Sequence, residues 1–191
     1  MLKKTPIPPS YFAEGLHPLP SHDLILLLTW KERTCLVFNH TTLEPLPNEG
    51  FQYKTHTGEG WGITGDGKGR LYVSDGSEFI FVWDEESKEE IRRIKVHTSQ
   101  GKKIRFLNEL EWYNGSILAN IWYSDTLVRI DPETGRVAVI YDFKELYPKK
   151  DRPNGADCFN GIAKIENDEL LVTGKLWDKV RTAGAKRKLE L

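Results

Sequence analysis

A short phrase that recurs four times along the chain constrains its fold more than any other feature. The copies begin at residues 12, 60, 107 and 159, which gives periods of 48, 47 and 52 residues. Each copy is followed about fifteen residues later by a short apolar run that ends in a polar or aromatic residue. A period of this size with strand-like content is typical of β-propeller blades. The four copies are Phe12-Ala13-Glu14-Gly15-Leu16, Gly60-Trp61-Gly62-Ile63-Thr64, Leu107-Asn108-Glu109-Leu110 and Phe159-Asn160-Gly161-Ile162-Ala163.

The segments between the copies contain regular strand and turn signals and few helix signals. Short apolar and aromatic runs separated by Gly, Asp and Pro are typical of antiparallel hairpins. In the third repeat they predict strands over 116–122, 127–130 and 137–141. We therefore predict an all-β propeller with about four blades, formed by one domain over 1–191. We expect irregular ends over 1–10 and 180–191, and a polar surface loop over 144–157 that borders the site on one propeller face.

Composition limits the partners and cofactors that this chain is expected to bind. The 191 residues carry a formal net charge of −1, so no charge excess favours binding to nucleic acid or to an anionic membrane. No apolar run reaches the roughly 18 residues of a membrane helix, and no signal peptide is visible at the start. The two cysteines are expected to be buried or half-buried thiols, and the five histidines lack metal-binding spacing. We expect no metal, no cofactor and no membrane or nucleic-acid partner.

The repeat also predicts where a functional site lies. Equivalent positions of successive blades meet at the central axis of a propeller, so polar and aromatic residues at those positions should converge. Three further tryptophans, Trp83, Trp112 and Trp177, are expected to pack between strands. Glu59, between Gly58 and Gly60, is expected to have a structural or supporting role. The residues that should converge are Glu14, Trp30, Trp61, Asn108, Trp122 and Lys175.

Several motifs in this chain resemble those of one enzyme family. The plant and bacterial glutaminyl-peptide cyclotransferases, or glutamine cyclotransferases, are similar to it from about residue 11 to residue 179. The resemblance implies a five-bladed propeller, of which this chain lacks the first blade. The motifs are Thr57-Gly58-Glu59-Gly60-Trp61-Gly62-Ile63-Thr64, Ser74-Asp75-Gly76-Ser77, Leu107-Asn108-Glu109-Leu110-Glu111, Ala119-Asn120-Ile121-Trp122, Arg129-Ile130-Asp131-Pro132-Glu133-Thr134-Gly135, Asn160-Gly161-Ile162-Ala163 and Val172-Thr173-Gly174-Lys175-Leu176-Trp177.

The resemblance implies an acyltransferase that converts the N-terminal glutamine of peptides or proteins to pyroglutamate and releases ammonia. It implies that Glu14 carries the proton, with a pKa raised by burial among indoles. Asn108 would hold the substrate amide and amine, and Lys175 would orient Glu14 or stabilise developing charge. We expect this chain to be a monomer. The plant members of the family are usually secreted. The compartment of this chain stays unassigned.

The side chains of Trp30, Trp61 and Trp122 would form the walls of the substrate pocket and offer indole N–H donors to the substrate. Two alternatives stay open at the level of sequence. One is an inactive propeller that binds a peptide or protein partner. The other is a calcium-dependent hydrolase or lactonase that uses oxygen ligands from Glu14, Asp75, Asn108 and Asn160.

Overall fold

Four antiparallel sheets arranged as propeller blades make up the chain. A computed structural model describes residues 3–165 and 169–184. The first two blades comprise β1 (Ala13–Leu19), β2 (Leu24–Thr29), β3 (Thr34–Asn39) and β4 (Phe51–Gln52), then β5 (Ile63–Gly65), β6 (Arg70–Ser74), β7 (Phe79–Asp84) and β8 (Glu90–Lys95). The last two comprise β9 (Leu107–Tyr113), β10 (Ser116–Ile121), β11 (Thr126–Ile130) and β12 (Val137–Asp142), then β13 (Phe159–Lys164), β14 (Glu169–Gly174) and β15 (Arg181–Gly184). Each sheet follows chain order, with consecutive strands hydrogen-bonded to each other.

The first strand of each blade lies innermost. Strand β1 contacts β5, β5 contacts β9, and β9 contacts β13, so these four strands are successive neighbours. The predicted strands of the third repeat agree with β10, β11 and β12 to within one residue at each end. The prediction of an all-β propeller with four blades is confirmed.

Three apolar clusters hold the blades together, one at each junction between consecutive blades. Between the first and second blades, Leu26 and Leu28 pack with Leu71, Phe81 and Trp83. Corresponding clusters join the second blade to the third and the third to the fourth. The middle strands β2, β6, β7 and β10 bury consecutive side chains on both faces, so these strands read as continuous apolar runs.

The three tryptophans expected to be structural do pack between strands. Trp83 is buried at the first junction. Trp112 stacks on Tyr72 with ring centroids 5.2 Å apart, across the second junction. Trp177 stacks on Phe159 at 5.8 Å. Their position at the junctions explains the high tryptophan content without assigning these three to a binding site.

The C-terminal part of the chain differs from the sequence expectation. Residues 180–191 were expected to be irregular, but Arg181–Gly184 forms β15 and pairs antiparallel with β14. The pairing depends on backbone hydrogen bonds, which the Lys- and Arg-rich composition of this segment does not reveal. Residues 185–191 lie outside the described residues, and residues 3–10 contain no helix or strand.

Two other features bear on the sequence expectations. Cys35 and Cys158 are both buried free thiols, as expected. Over the described residues, no helix has the length and apolar character needed to span a membrane.

Candidate active site at the propeller axis

The recurring phrase forms a β-bulge at the same place in three inner strands. In β1, residues 13 to 16 oppose residues 29 to 27 of β2, so one extra residue lies at Glu14–Gly15. The same register shift occurs at Asn108–Glu109 in β9 and at Asn160–Gly161 in β13. A bulge re-aims the side chains beside it and is common next to functional sites. The first residue of the bulge lines the pocket in β1 and β9, where it is Glu14 and Asn108, whereas the equivalent Asn160 of β13 does not.

In the first, third and fourth blades, a repeated backbone contact ties the second strand to the inner strand at the site. The residue that follows the second strand donates its N–H to the carbonyl of the residue that precedes the inner strand. Trp30 N donates to Phe12 O at 2.8 Å, and Trp122 N donates to Phe106 O at 2.9 Å. Lys175 N donates to Cys158 O at 2.9 Å. This contact brings the ends of the two strands to the same end of the propeller.

All six residues that the sequence predicted to converge line one pocket. Its volume is about 190 Å³. Sequence reasoning missed three further lining residues. Asp157 lies in the polar loop that was expected to border the site, although this residue was not singled out. Phe12 begins the first copy of the recurring phrase and Tyr123 follows Trp122, but neither was predicted as a site residue. The lining residues are Phe12, Glu14, Trp30, Trp61, Asn108, Trp122, Tyr123, Asp157 and Lys175.

Glu14 and Lys175 form an ion pair across this pocket. Lys175 Nζ lies 2.8 Å from Glu14 Oε1 and 3.1 Å from Oε2. The side chain of Glu14 is only 11% exposed, and that of Lys175 is 32% exposed. Burial raises the pKa of Glu14 and the charge of Glu59 raises it further, while the hydrogen bond and charge of Lys175 oppose that rise. The net pKa of Glu14 is raised, in the direction that the sequence predicted.

Asn108 lines the pocket and has a buried side-chain oxygen without a partner among the described residues. The residue is 3% exposed, and Oδ1 accepts no hydrogen bond from the described residues. A buried acceptor without a partner costs about 1–3 kcal/mol, so its persistence calls for an explanation. Because Oδ1 is inaccessible to solvent, a ligand N–H could reach it only if the amide side chain turns towards the pocket.

The tryptophan walls are present, but two of their N–H groups are already used. Trp30 Nε1 and Trp61 Nε1 both donate to Glu59 Oε2, each at 2.8 Å. The expectation that these two indoles offer donors to a substrate is therefore wrong, because an N–H directed at a carboxylate behind the wall does not reach the pocket. Trp122 packs edge-on against Trp61 at 5.3 Å and lies 4.5 Å from the ring of Tyr123. Glu59 is a supporting residue, as the sequence predicted.

Two of the four oxygen ligands of the calcium alternative, Asp75 and Asn160, lie outside this pocket. The carboxylate of Asp75 accepts from Thr57 N at 2.8 Å and from Ser77 N at 3.0 Å. Asn160 Oδ1 accepts from Glu109 N at 3.4 Å. Neither Asp75 nor Asn160 lines the pocket that contains Glu14 and Asn108. No group of three or more His, Cys, Asp or Glu residues within 3–165 and 169–184 could hold a metal ion.

The fold and the site together define a class: β-propeller proteins with a buried carboxylate–ammonium pair in an aromatic pocket at the axis. Comparison with known sequences narrows the class. The chain belongs to the glutamine cyclotransferase family, whose sequence profile matches residues 1–182.

Named relatives agree with this assignment. The chain is 32% identical over 174 residues to a glutaminyl-peptide cyclotransferase of Arabidopsis thaliana, a match that covers 90% of this chain and 52% of that protein. It thus spans about half the length of this curated relative. The crystal structure of Myxococcus xanthus glutaminyl cyclase superposes with a TM-score of 0.76 at 28% identity, covering 94% of this chain and 75% of the other.

A more distant structure shares the propeller fold alone. The WD40 β-propeller domain of Doa1 gives a TM-score of 0.54 at 12% identity, covering 90% of this chain and 49% of that chain.

Glu109 occupies a position that is glycine in the other three repeats. At Gly15, an added Cβ would lie 2.8 Å from Ile63 N in the next blade, and at Gly62 it would lie 2.9 Å from the Cα of Glu109. Glu109 instead extends its carboxylate to the backbone N–H of Ile162 in the fourth blade. Its Oε2 is inaccessible to solvent and has no partner among the described residues. Burial, and secondarily the charge of Glu111, raises the pKa of Glu109 well above its usual value of 4.5.

We expect the free energy of unfolding of Glu109→Gln to fall less with rising pH than that of the unmodified chain. Because the folded-state pKa of Glu109 is raised, its contribution to stability is fully present below the unfolded pKa and is lost as pH rises through the folded pKa. In that window one proton changes the free energy of unfolding by up to about 1.4 kcal/mol per pH unit. Thermal melts between about pH 5 and about pH 8 should therefore show a smaller decline in Tm for the variant. Glu89→Gln, at an exposed position, is the control, and parallel declines in Glu109→Gln and the unmodified chain would contradict the assignment.

Proposed function

We propose that this chain converts the N-terminal glutamine of a peptide or protein to pyroglutamate and releases ammonia. Family membership supports this activity, as do the names of the relatives that the chain resembles. The observation that carries the proposal is the Glu14–Lys175 pair, buried in an aromatic pocket beside the unpaired Oδ1 of Asn108. The pocket, at about 190 Å³, is small enough to select one side chain rather than a folded domain.

The reaction needs positioning and proton transfer but no covalent nucleophile. The α-amino nitrogen of the substrate attacks its own γ-carboxamide carbon, a C–N bond forms within the ring, and the C–NH₂ bond breaks. Holding the glutamine side chain folded over its amine removes the rotational freedom that otherwise slows this closure. The attacking nitrogen must lose a proton, and the leaving nitrogen must gain one to depart as ammonia. One carboxylate can accept the first proton and donate the second.

Glu14 is suited to that transfer. Its raised pKa, caused by burial, brings its ionisation closer to neutrality, where a group can both accept and donate a proton efficiently. Lys175 holds the carboxylate through two contacts and carries a positive charge that can stabilise charge developing on the amide oxygen. Asn108 Oδ1 has no partner among the described residues, so the amide could turn towards the pocket, accept from a substrate N–H and donate to a carbonyl. The indole faces of Trp30, Trp61 and Trp122 enclose the aliphatic part of the side chain.

The alternatives receive less support. The calcium-dependent hydrolase needs Asp75 and Asn160 as ligands, and both are engaged elsewhere. The inactive propeller needs loss of the reactive groups, but Glu14, Asn108 and Lys175 are all present in one pocket.

The test is ammonia release from a glutaminyl dipeptide incubated with the purified chain, with pyroglutamyl product identified by mass spectrometry. We expect release that is unaffected by a chelator. Release that stops on chelation would favour the metal-dependent alternative, and binding of the dipeptide without release would favour the inactive propeller.

Replacing Lys175 should shift the pH profile of this reaction. Glu14 must be ionised to accept the proton, so activity rises with pH through its pKa. Lys175 opposes the rise of that pKa, so Lys175→Met should move the acidic limb of kcat/KM to higher pH and lower the maximum by about 10²-fold. Lys175→Arg, which keeps the charge, should retain the position of the limb. The substrate amine titrates in the same way with every variant, so a difference between variants reports on the enzyme. An unshifted acidic limb in Lys175→Met would contradict this role of Lys175.

A further inference from the structure

Glu59 joins the two tryptophans that form adjacent walls of the pocket. One oxygen, Oε2, accepts from Trp30 Nε1 and from Trp61 Nε1, both at 2.8 Å. Trp30 follows the second strand of the first blade, whereas Trp61 precedes the inner strand of the second blade. Glu59 does not itself line the pocket, so it contacts the walls from behind. A charged acceptor gives stronger hydrogen bonds than a neutral one, and two donors directed at one oxygen fix both ring orientations.

The loop that carries Glu59 is itself held in place. Thr55 Oγ1 donates to Glu59 O at 2.6 Å, and Gly60 N donates to Trp30 O at 2.9 Å. Thr57 is fixed to Asp75 through its backbone N at 2.8 Å and its hydroxyl at 2.9 Å. Asp75 is buried, with 1% exposure. A carboxylate on such a support can hold its partners more accurately than one on a free loop.

The ring of Trp61 also fits a space that the backbone leaves open. Gly76 has a φ of 80°, and an added Cβ there would lie 2.7 Å from Trp61 Cη2. Trp122 packs against the same indole from the third blade at 5.3 Å. The plane of Trp61 is thus set by Gly76 and Trp122 on its ring and by Glu59 at its nitrogen.

We propose that Glu59 is a positioning residue that sets the orientation of Trp30 and Trp61 and thereby the shape of the glutamine pocket. This inference rests on the proposed function for its kinetic part, but its structural part can be tested without turnover. It predicts that loss of the acceptor raises KM through a loosened pocket, without removing any group that contacts the reacting atoms.

Glu59 has a second, electrostatic effect on the site. The charged groups that face or border Glu14 are Lys175 from the fourth blade, Asp157 from the preceding loop and Glu59 from the second blade. The charge of Glu59 raises the pKa of Glu14, opposite in sign to the effect of Lys175. Removing that charge should therefore move the acidic limb of kcat/KM to lower pH.

Two variants separate the acceptor from the charge. Glu59→Gln keeps an amide oxygen that can accept from the indoles, so we expect KM within about threefold of the unmodified chain and a limb shifted to lower pH. Glu59→Ala removes both, so we expect KM to rise about tenfold or more, with a smaller change in kcat. Glu89→Gln is the matched control and should change neither. An unchanged KM in a folded Glu59→Ala would overturn the positioning proposal, and an unshifted limb in Glu59→Gln would overturn the electrostatic effect.

The indole N–H resonances of the full chain report on the hydrogen bonds directly. In ¹H–¹⁵N spectra, the variants Trp30→Phe and Trp61→Phe identify the indole signals of these two residues. Both signals should move upfield in Glu59→Ala, while the other four indole signals stay in place. Glu89→Gln should leave all six indole signals unchanged. If the unmodified chain releases no ammonia, the proposed function fails, but this measurement still decides whether Glu59 holds the indoles. Signals that do not move would overturn the positioning role even in an active enzyme.

Discussion

Glu14→Gln should lower kcat for pyroglutamate formation by about 10²- to 10⁴-fold, the range contributed by a positioned general acid–base group. The amide has nearly the same size and can still accept from Lys175 Nζ, but it cannot take a proton from the attacking amine. Because the substrate-enclosing walls are unchanged, KM should change by only a few-fold. Ammonia release under saturating dipeptide measures kcat, and the melting temperature verifies that the variant is folded.

The control for this loss is another glutamate converted to glutamine at an exposed position. Glu89→Gln should retain full activity. A folded Glu14→Gln variant with undiminished kcat would remove Glu14 from the mechanism and direct attention to Asp157, a further carboxylate that lines the pocket.

Gly15→Ala should disturb both the stability of the fold and the site. An added Cβ would lie 2.7 Å from Trp61 O and 2.8 Å from Ile63 N, and both atoms belong to the backbone at the start of the next blade. No rotamer change relieves such a contact, so β1 and β5 would have to separate. Overpacking of this kind costs about 1–3 kcal/mol, occasionally more. In a chain of this size Tm falls by about 2–4 °C per kcal/mol.

The same separation should reduce activity, because Gly15 directly follows Glu14 and contacts the backbone at Trp61. Gly50→Ala is a suitable comparison, since its added Cβ would lie 3.2 Å from Cys35 O and away from the pocket. Differential scanning calorimetry gives Tm, and steady-state kinetics give kcat/KM, for both Gly15→Ala and Gly50→Ala. Equal Tm and equal activity for Gly15→Ala and Gly50→Ala would show that the inner strands are not closely constrained.

Strand positions were accessible from the sequence because each apolar run is bounded by turn residues. The strands of the third repeat agree with the prediction to within one residue at each end. The short strand Arg181–Gly184 was missed, since it is selected by the free edge of β14 rather than by its own composition. The bulge at Glu14–Gly15 and its equivalents was also hidden, although the recurring phrase is its sequence signature.

The residues of the pocket were predicted better than their contacts. The six residues expected at the axis all line the pocket. The sequence also predicted that burial raises the pKa of Glu14, and the pKa is raised. The use of the indole N–H groups was wrong for Trp30 and Trp61, because the competing acceptor Glu59 is brought to them only when the first two blades pack. The polar loop that carries Asp157 was expected to border the site and does so, but nothing in its local sequence singles out Asp157 as the residue that lines the pocket.

The sequence by itself determined the repeat, and with it the propeller class and the set of side chains that meet at the axis. This is possible because a period of 47 to 52 residues returns the chain to the same position in each blade. Only the tertiary structure decided which of those side chains are partners. Glu14 and Lys175 lie 161 residues apart along the chain, yet their charged atoms are 2.8 Å apart. A periodic pattern fixes a position within a blade, whereas a hydrogen bond requires a distance and a direction that arise only when the blades pack around the axis.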